Sequence, residues 1–372
     1  MVDASTALRR SPLHERHEAL GAKFAEFGGW LMPLEYAGGG VVKEHTAVRT
    51  GVGIFDVSHL GKVTVRGPGA AEFVNATLSN DLGRIGPGRA QYTLCLDDET
   101  GGIVDDIFSY FHDHDHVLLV PNAANNAEVH RRLEAAAPDG VEVLNHHADF
   151  VVLAVQGTKS DEVLAAAGLP VGHDYLTFVE TEFAGSPVVV CRTGYTGERG
   201  YELIAPAEVA AQLWDAVMSA GAAYDLTPAG LGARDTLRTE MGYPLHGQDI
   251  GPTVTPNEAR LGWAVGWKKP AFWGRDKVVA ERERGARRKL VGIKATGRAI
   301  PRPHMSISLS PDVLLGEVTS GTFSPTLKQG IGLALVASMV NEEAEVSVDV
   351  RGRREVFQVV KPPFVDTSVR ES

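Results

Sequence analysis

A chain of 372 residues, 44% hydrophobic and 22% charged, has enough apolar material for two or three domains. Its formal charge of −11 argues against a phosphate-backbone binder, which needs a basic face, so no nucleic-acid partner is expected. The longest apolar tract, Ile331 to Val340, falls well short of the ~18 residues of a membrane span, and the N-terminus lacks the apolar stretch of a secretory signal, so a soluble, cytoplasmic protein with no membrane partner is expected. Cys95 and Cys191 sit far apart, each inside an apolar run, and read as buried free thiols.

In chain order, Val63 to Val65 alternates and runs into the turn Gly67-Pro68-Gly69. A helical segment follows from Ala70 to Leu78. Gln91 to Leu96 and Ile103 to Phe111 read as strands across a polar turn, Val117 to Val120 as a third, and Asn122 to Ala137 as a helix stopped by Pro138. That order suits an α+β sandwich with one helical face. Phe150 to Val155 is a buried strand, Thr158 to Ala167 a short helix, and Ala207 to Ser219 a helix led by Pro206. Thr227-Pro228 is expected to open the next helix, which ends at Gly242-Tyr243-Pro244. Glu281 to Lys289 carries a dense charge run and reads as a solvated interdomain linker, or else as a docking patch for an acidic partner. Leu290 to Lys361 shows short strands punctuated by Gly and Pro, as in a small β-barrel or jelly roll.

Several constellations carry chemistry. Thr193 to Glu202 packs three glycines around two tyrosines and ends on a carboxylate, a tight-turn composition with aromatic walls. Leu231 to Leu237 reads as a helix with Arg234 on its apolar stripe, and an inward guanidinium needs an anionic or carbonyl partner. Together they suggest a pocket for a flat, polar, heteroaromatic ligand. Asp105 and Asp106 lie within apolar flanks, and in an extended segment they point to opposite faces, one as a satisfied structural residue or a functional acid. His112 to His116 alternates His and Asp between two apolar strands and reads as an exposed hairpin tip, so no metal is expected. Gly230-Leu231-Gly232 lacks the third glycine of a dinucleotide fingerprint, and no GxxxxGK[ST] or GxSxG motif occurs.

The segments GGW at Gly28 to Trp30, FDVSHLG at Phe55 to Gly61, GGIVDD at Gly101 to Asp106 and LAVQG at Leu153 to Gly157 resemble the aminomethyltransferase family of the glycine cleavage system, the T proteins. So do TGYTGERGYEL, LGARDTLRTEMGYPLHGQDI from Leu231 to Ile250, TSGTFSPTL from Thr319 to Leu327, and the late PPFV. The resemblance covers nearly the whole chain in order. It implies a three-domain cloverleaf around a central folate cavity: a discontinuous first domain (1–52 and 143–225), a ferredoxin-like second (53–142 and 226–280) and a C-terminal jelly-roll barrel (281–372). It implies tetrahydrofolate as co-substrate, a lipoyl-carrying H protein as partner, and no pyridoxal phosphate, which belongs to another subunit of that system.

Carried over by position, the family's acid matches Asp106, its pterin-reading carboxylate Glu202 and its arginine Arg234. Tyr92, Asn122, Tyr195 and Trp263 match cavity-lining positions, and Arg370 matches a ligand-contacting basic residue near the tail. Some members carry Met where this chain has Leu60, a swap that keeps an apolar contact. Two rivals share the scaffold: a folate-dependent O- or S-demethylase, and a folate-binding iron–sulfur assembly factor. The latter branch carries a KGCYxGQE-type segment, whereas Gly242 to Asp249 contains no cysteine. Fusion to a flavin dehydrogenase does not fit the length or the missing dinucleotide motif.

Overall fold

The structure, a computed structural model, describes residues 7–310 and 313–367. Its strands form a three-stranded sheet, a six-stranded sheet, a five-stranded sheet and a closed six-stranded barrel, so the architecture is the α+β one that the resemblance implied.

The three-stranded sheet joins Arg9–Arg10, Ala22–Phe27 and Trp30–Tyr36. Gly28 and Gly29 connect its hairpin with φ of +57° and +84°, left-handed values that a two-residue hairpin turn demands at both positions. The six-stranded sheet runs Phe178–Phe183, Ser186–Cys191, Gly200–Pro206, Phe150–Gln156, Gly53–Asp56 and Thr227–Pro228. Its central strand is apolar on both faces because both are covered. Val151, Leu153 and Val155 pack with Val163, Leu164, Leu213 and Trp214 of the helices Ser160–Ala166 and Ala210–Gly221. Val152 and Ala154 pack with Phe55, Tyr110, Ala233 and Leu237 on the other side.

The five-stranded sheet has Val63–Arg66 flanked by Glu142–Asn145 and His116–Val120, then Ile103–Asp113 and Arg89–Leu96. Without its Arg89–Leu96 edge strand this is the antiparallel βαββαβ arrangement, with helices Ala70–Thr77 and Asn126–Ala136 on one face. Gly53–Asp56 pairs with Phe150–Gln156, and Glu142–Asn145 pairs with Val63–Arg66. Gly102 lies against the Pro252 carbonyl, where a Cβ would collide with backbone, so this close approach requires glycine.

Two local readings are corrected. Thr227–Pro228 does not open a helix. It is a two-residue strand parallel to Gly53-Ile54, and the helix starts at Leu231, because Gly230 is still extended and gives its N–H to Glu44 Oε2 at 2.9 Å. Nor is Glu281 to Lys289 a linker. Its first part is the last turn of the helix Arg275–Arg284, and Arg288 already begins the barrel. Buried Val278 and Glu281 give that helix a narrow inner face, Glu281 accepts from Thr255 Oγ1 at 2.5 Å, and Arg282 lies 4.1 Å over the Trp267 ring. With so few apolar positions the helix has almost no periodic signal.

The barrel closes in the order Arg288–Ala295, Gln329–Ala337, Val313–Ser324, Ser306–Ser310, Glu345–Val350 and Arg353–Val360. It is bolted to the helix Leu231–Met241 through buried charges. Arg238 donates to Asp249 Oδ2 at 2.7 Å, Asp235 Oδ1 at 2.7 Å and Ser320 Oγ at 2.7 Å. Thr319 Oγ1 donates to Asp249 Oδ1 at 2.5 Å. Two residues on, Glu240 accepts from Ser324 Oγ at 2.5 Å and Thr326 Oγ1 at 3.1 Å, and pairs with Arg49 at 2.9 Å. Among the described residues no helix is long and apolar enough to cross a membrane.

Beneath the six-stranded sheet, Asp56 is fully buried and accepts from Ser11 Oγ, from Ser58 N at 2.9 Å and from His17 Nε2 at 2.9 Å. Burial raises its proton affinity, but the His17, Ser11 and Ser58 bonds outweigh it and hold the carboxyl at about 2, against an ordinary 3.8. A depressed folded-state value stabilises the fold above the unfolded value, and this contribution is lost as pH falls through 3.8 towards 2. Asp56→Asn is therefore expected to cost about 2 kcal/mol at neutral pH, and to flatten the acid limb of an unfolding-versus-pH curve. An unaltered limb would dismiss the Asp56 contribution.

Candidate active site

A cavity of about 300 Å³ lies between the two larger sheets and the helix Leu231–Met241. Phe27, Leu34, Leu60, Phe108, Val120 and Leu231 give it apolar walls, and a few polar groups converge in it, as ligand cavities require. Alternation on Ile103–Asp113 sends Asp106, Phe108 and Tyr110 to the cavity side and Asp105 and Ile107 to the opposite side. Likewise on Gly200–Pro206, Tyr201 and Leu203 enter the helix-covered core while Glu202 turns to the cavity.

Asp106 is held at both oxygens. Tyr92 Oη donates to Oδ2 at 3.0 Å and Asn122 Nδ2 to Oδ1 at 2.8 Å. Burial raises the proton affinity of Asp106, and His246, Tyr92 and Asn122 pull it back. Asp105, fully buried, is raised further by burial and by the charge of Asp106. The two carboxyls thus divide in space: Asp105 is hydrogen-bonded behind the strand, and Asp106 faces open volume.

Glu202 Oε2 accepts from Thr193 Oγ1 at 2.5 Å and from Tyr110 Oη at 3.5 Å. Arg234 lies with its guanidinium 4.2 Å over the Tyr195 ring, whose hydroxyl donates to the Pro244 carbonyl at 2.5 Å. The Arg234 Nη1 atom is buried and has no hydrogen-bond partner among the described residues. Burial lowers the proton affinity of this guanidinium, while Tyr195 and Glu202 offset the effect. A buried donor without an acceptor costs about 1–3 kcal/mol, and this one lies at the wall of the cavity. His59 also lines the cavity; burial and the Arg234 charge push its imidazole down to about 3, so it is neutral at physiological pH.

The structure brings Leu60, Tyr92, Asp106, Asn122, Tyr195, Glu202 and Arg234 to one cavity. Trp263 is not among its walls. It stacks on the far side of Tyr92, ring centroids 5.1 Å apart and 27° between planes, and stays 62% exposed. Arg370 lies outside the described residues. Arg234 shares the cavity face with Leu231 and Arg238, whereas Leu237 belongs to the core, so the apolar stripe read from the sequence splits between two faces. Tyr110, Arg238 and His246 also line the cavity and were not singled out. Arg238 was detectable, being one turn beyond Arg234 on the same helix face. Tyr110 and His246 had no local signal. Of the His/Asp run, His114 is exposed at the hairpin, while His112 and His116 stack at 4.1 Å and His112 bonds Glu180 at 2.6 Å.

Comparison with known proteins bears on the whole chain. Residues 13–269 match the family model described as the GCVT N-terminal domain, and residues 288–366 the glycine cleavage T-protein C-terminal barrel domain. A protein named aminomethyltransferase from Frankia alni is 62% identical over 98% of this chain and 99% of its own length. One from Mycobacterium bovis is 56% identical over 98% of each. The crystal structure of glycine cleavage system aminomethyltransferase T from Bartonella henselae superposes with a TM-score of 0.90 at 34% identity, covering 96% of this chain and 98% of that one.

Proposed function

Because the chain belongs to the glycine cleavage T-protein family of aminomethyltransferases, we propose a role for each polar group in its cavity. The reaction moves a methylene group from the aminomethyl-dihydrolipoyl arm of H protein to tetrahydrofolate and releases ammonia, leaving methylenetetrahydrofolate and the reduced arm. Tetrahydrofolate supplies the nucleophilic ring nitrogen. The residues present suit its pteridine: a cavity with a carboxylate at Glu202 and a buried donor at Arg234, unpartnered among the described residues, matches a ring that offers an amino group, a ring N–H and a carbonyl.

Glu202 accepts the amino group and the ring N–H in one bidentate contact, and Arg234 gives Nη1 to the carbonyl. Tyr195 holds the guanidinium from beneath. Asp106 is the catalytic carboxylate. With both oxygens fixed by Tyr92 and Asn122, it orients the attacking nitrogen and stabilises the positive charge that develops there, without reorganising at the moment of reaction. No enzyme nucleophile is required. Trp263 backs Tyr92 from the solvent side.

The observation that carries this reading is the buried, unpaired Arg234 Nη1 in the same cavity as a doubly held Asp106. Mixing the protein with tetrahydrofolate and aminomethyl-loaded H protein is expected to release ammonia with one methylenetetrahydrofolate per turnover. Turnover of a methyl-ether or methyl-sulfur donor without any lipoyl partner, and none with H protein, would reverse the assignment. Glu202→Ala is expected to weaken tetrahydrofolate binding by about 1.5–3 kcal/mol, roughly 10- to 150-fold, as read by calorimetric titration. An unchanged dissociation constant would remove Glu202 from the binding role.

A further inference from the structure

Asp105 and Asp106 leave their strand on opposite faces, yet one side chain touches both. Asn122 Nδ2 lies 2.8 Å from Asp105 Oδ1 and 2.8 Å from Asp106 Oδ1, so its two hydrogens tie the buried carboxyl to the one in the cavity. The Asn122 backbone N–H donates to Asp105 Oδ2 at 2.9 Å. Asn125 Nδ2 donates to Asp105 Oδ1 at 2.7 Å and reaches His246 Nδ1 at 3.0 Å. His246 Nε2 lies 3.1 Å from the Ile103 carbonyl, which can only accept. In the neutral ring Nε2 therefore carries the proton and Nδ1 is the acceptor that Asn125 meets. The amide hydrogens of both asparagines are committed, and the order runs His246, Asn125, Asp105, Asn122, Asp106, Tyr92.

We propose that Asp105 is a positioning residue for the transfer reaction: it locks Asn122 in the orientation that fixes Asp106. This rests on Asp106 being the catalytic carboxylate. The titratable groups facing Asp106 are Tyr92 from the neighbouring strand, Tyr195 from the glycine-rich turn, His246 from the loop after the helix Leu231–Met241, and Asp105. Of these, Asp105 is the acidic group joined to it through a single amide. Two carboxyls so linked and withdrawn from water resist ionising together, and the protons leave the pair in coupled steps. The amide donors around Asp105 favour its charged form, but burial and Asp106 outweigh them, and its proton is held well above the ordinary carboxylate range.

The decisive variant is Asp105→Asn, nearly isosteric and neutral. Its NH2 must face at least one of three donors, which loosens Asn122. At neutral pH kcat is expected to fall about tenfold with the tetrahydrofolate Kd unchanged. A merely structural role would lower the melting temperature and leave kcat of the folded enzyme unchanged. Asn125→Ala keeps Asp105 and Asn122 but removes one donor to the buried carboxyl, and kcat is expected to fall the same way by less, again at an unchanged Kd. It serves as the second readout should Asp105→Asn fold poorly. An unchanged kcat in the variants that fold, or a Kd that weakens as much as kcat falls, overturns the proposal. Asp106→Asn in the same assay separates the two ideas: if it turns over normally, the catalytic reading of Asp106 fails, and if it is inactive while Asp105→Asn is silent, only the role of Asp105 fails.

Discussion

Asp106→Asn is expected to lower turnover by about 10²- to 10³-fold, while tetrahydrofolate still binds within a few-fold of the unsubstituted protein. Asparagine keeps the shape of the side chain, and its oxygen can still accept from Asn122 while its NH2 donates to the Tyr92 hydroxyl, which is free to accept. What disappears is the negative charge placed in a water-poor cavity. A charge of this kind acts on the developing cation of the transition state more than on the neutral ground state, so kcat falls and affinity does not. Single-turnover ammonia release and a separate folate titration distinguish the two quantities. Equal losses in both would reassign Asp106 to binding.

Arg238→Met is expected to destabilise the fold by about 3–5 kcal/mol. The guanidinium is buried and five contacts converge on it, from Asp235, Asp249, Ser320 and the Tyr243 carbonyl. Burial alone would lower its proton affinity, but Asp249 and Asp235 more than offset this and hold it above the ordinary value. Methionine fills the stem and leaves Asp249, itself fully buried, without its cation. Removing Asp249 as well, as Asp249→Leu in the same chain, should recover part of the loss, since the stranded charge is the main cost. Thermal unfolding of the two singles and the double gives the coupling directly. Additive losses would mean that the pair carries no mutual energy.

Strand positions in the five-stranded sheet were legible because period-2 alternation and Gly-Pro punctuation agree there; Val63–Arg66, Ile103–Asp113 and His116–Val120 lie within a residue or two of their expected ends. The helix Arg275–Arg284 was hidden because one buried apolar position, Val278, cannot outweigh seven charged residues, one of them the buried Glu281. Thr227-Pro228 misled because Pro marks a helix start only when the next residues are helical, and Ala229 instead gives its N–H to Ile54 in the sheet. In the cavity, Asp106, Glu202 and Arg234 were legible through motifs standing on three separate elements. Tyr110 was not, since its hydroxyl meets Glu202 only through folding of a strand 92 residues away. His246 was missed for the same reason: its partners Ile103 and Asn125 are distant in sequence.

Among the described residues around the cavity, the last in sequence is Gln248, so no described residue of the barrel lines it. Yet the hydroxyls of Thr319, Ser320, Ser324 and Thr326 complete the shells of Arg238, Asp249 and Glu240, which anchor the helix bearing Arg234. Inactivating lesions should accordingly accumulate at these four small alcohols as well as around the cavity. A survey of defective alleles confined to the cavity would overlook them, and a truncation ending before residue 288 would forfeit catalysis despite retaining every described residue that lines the cavity.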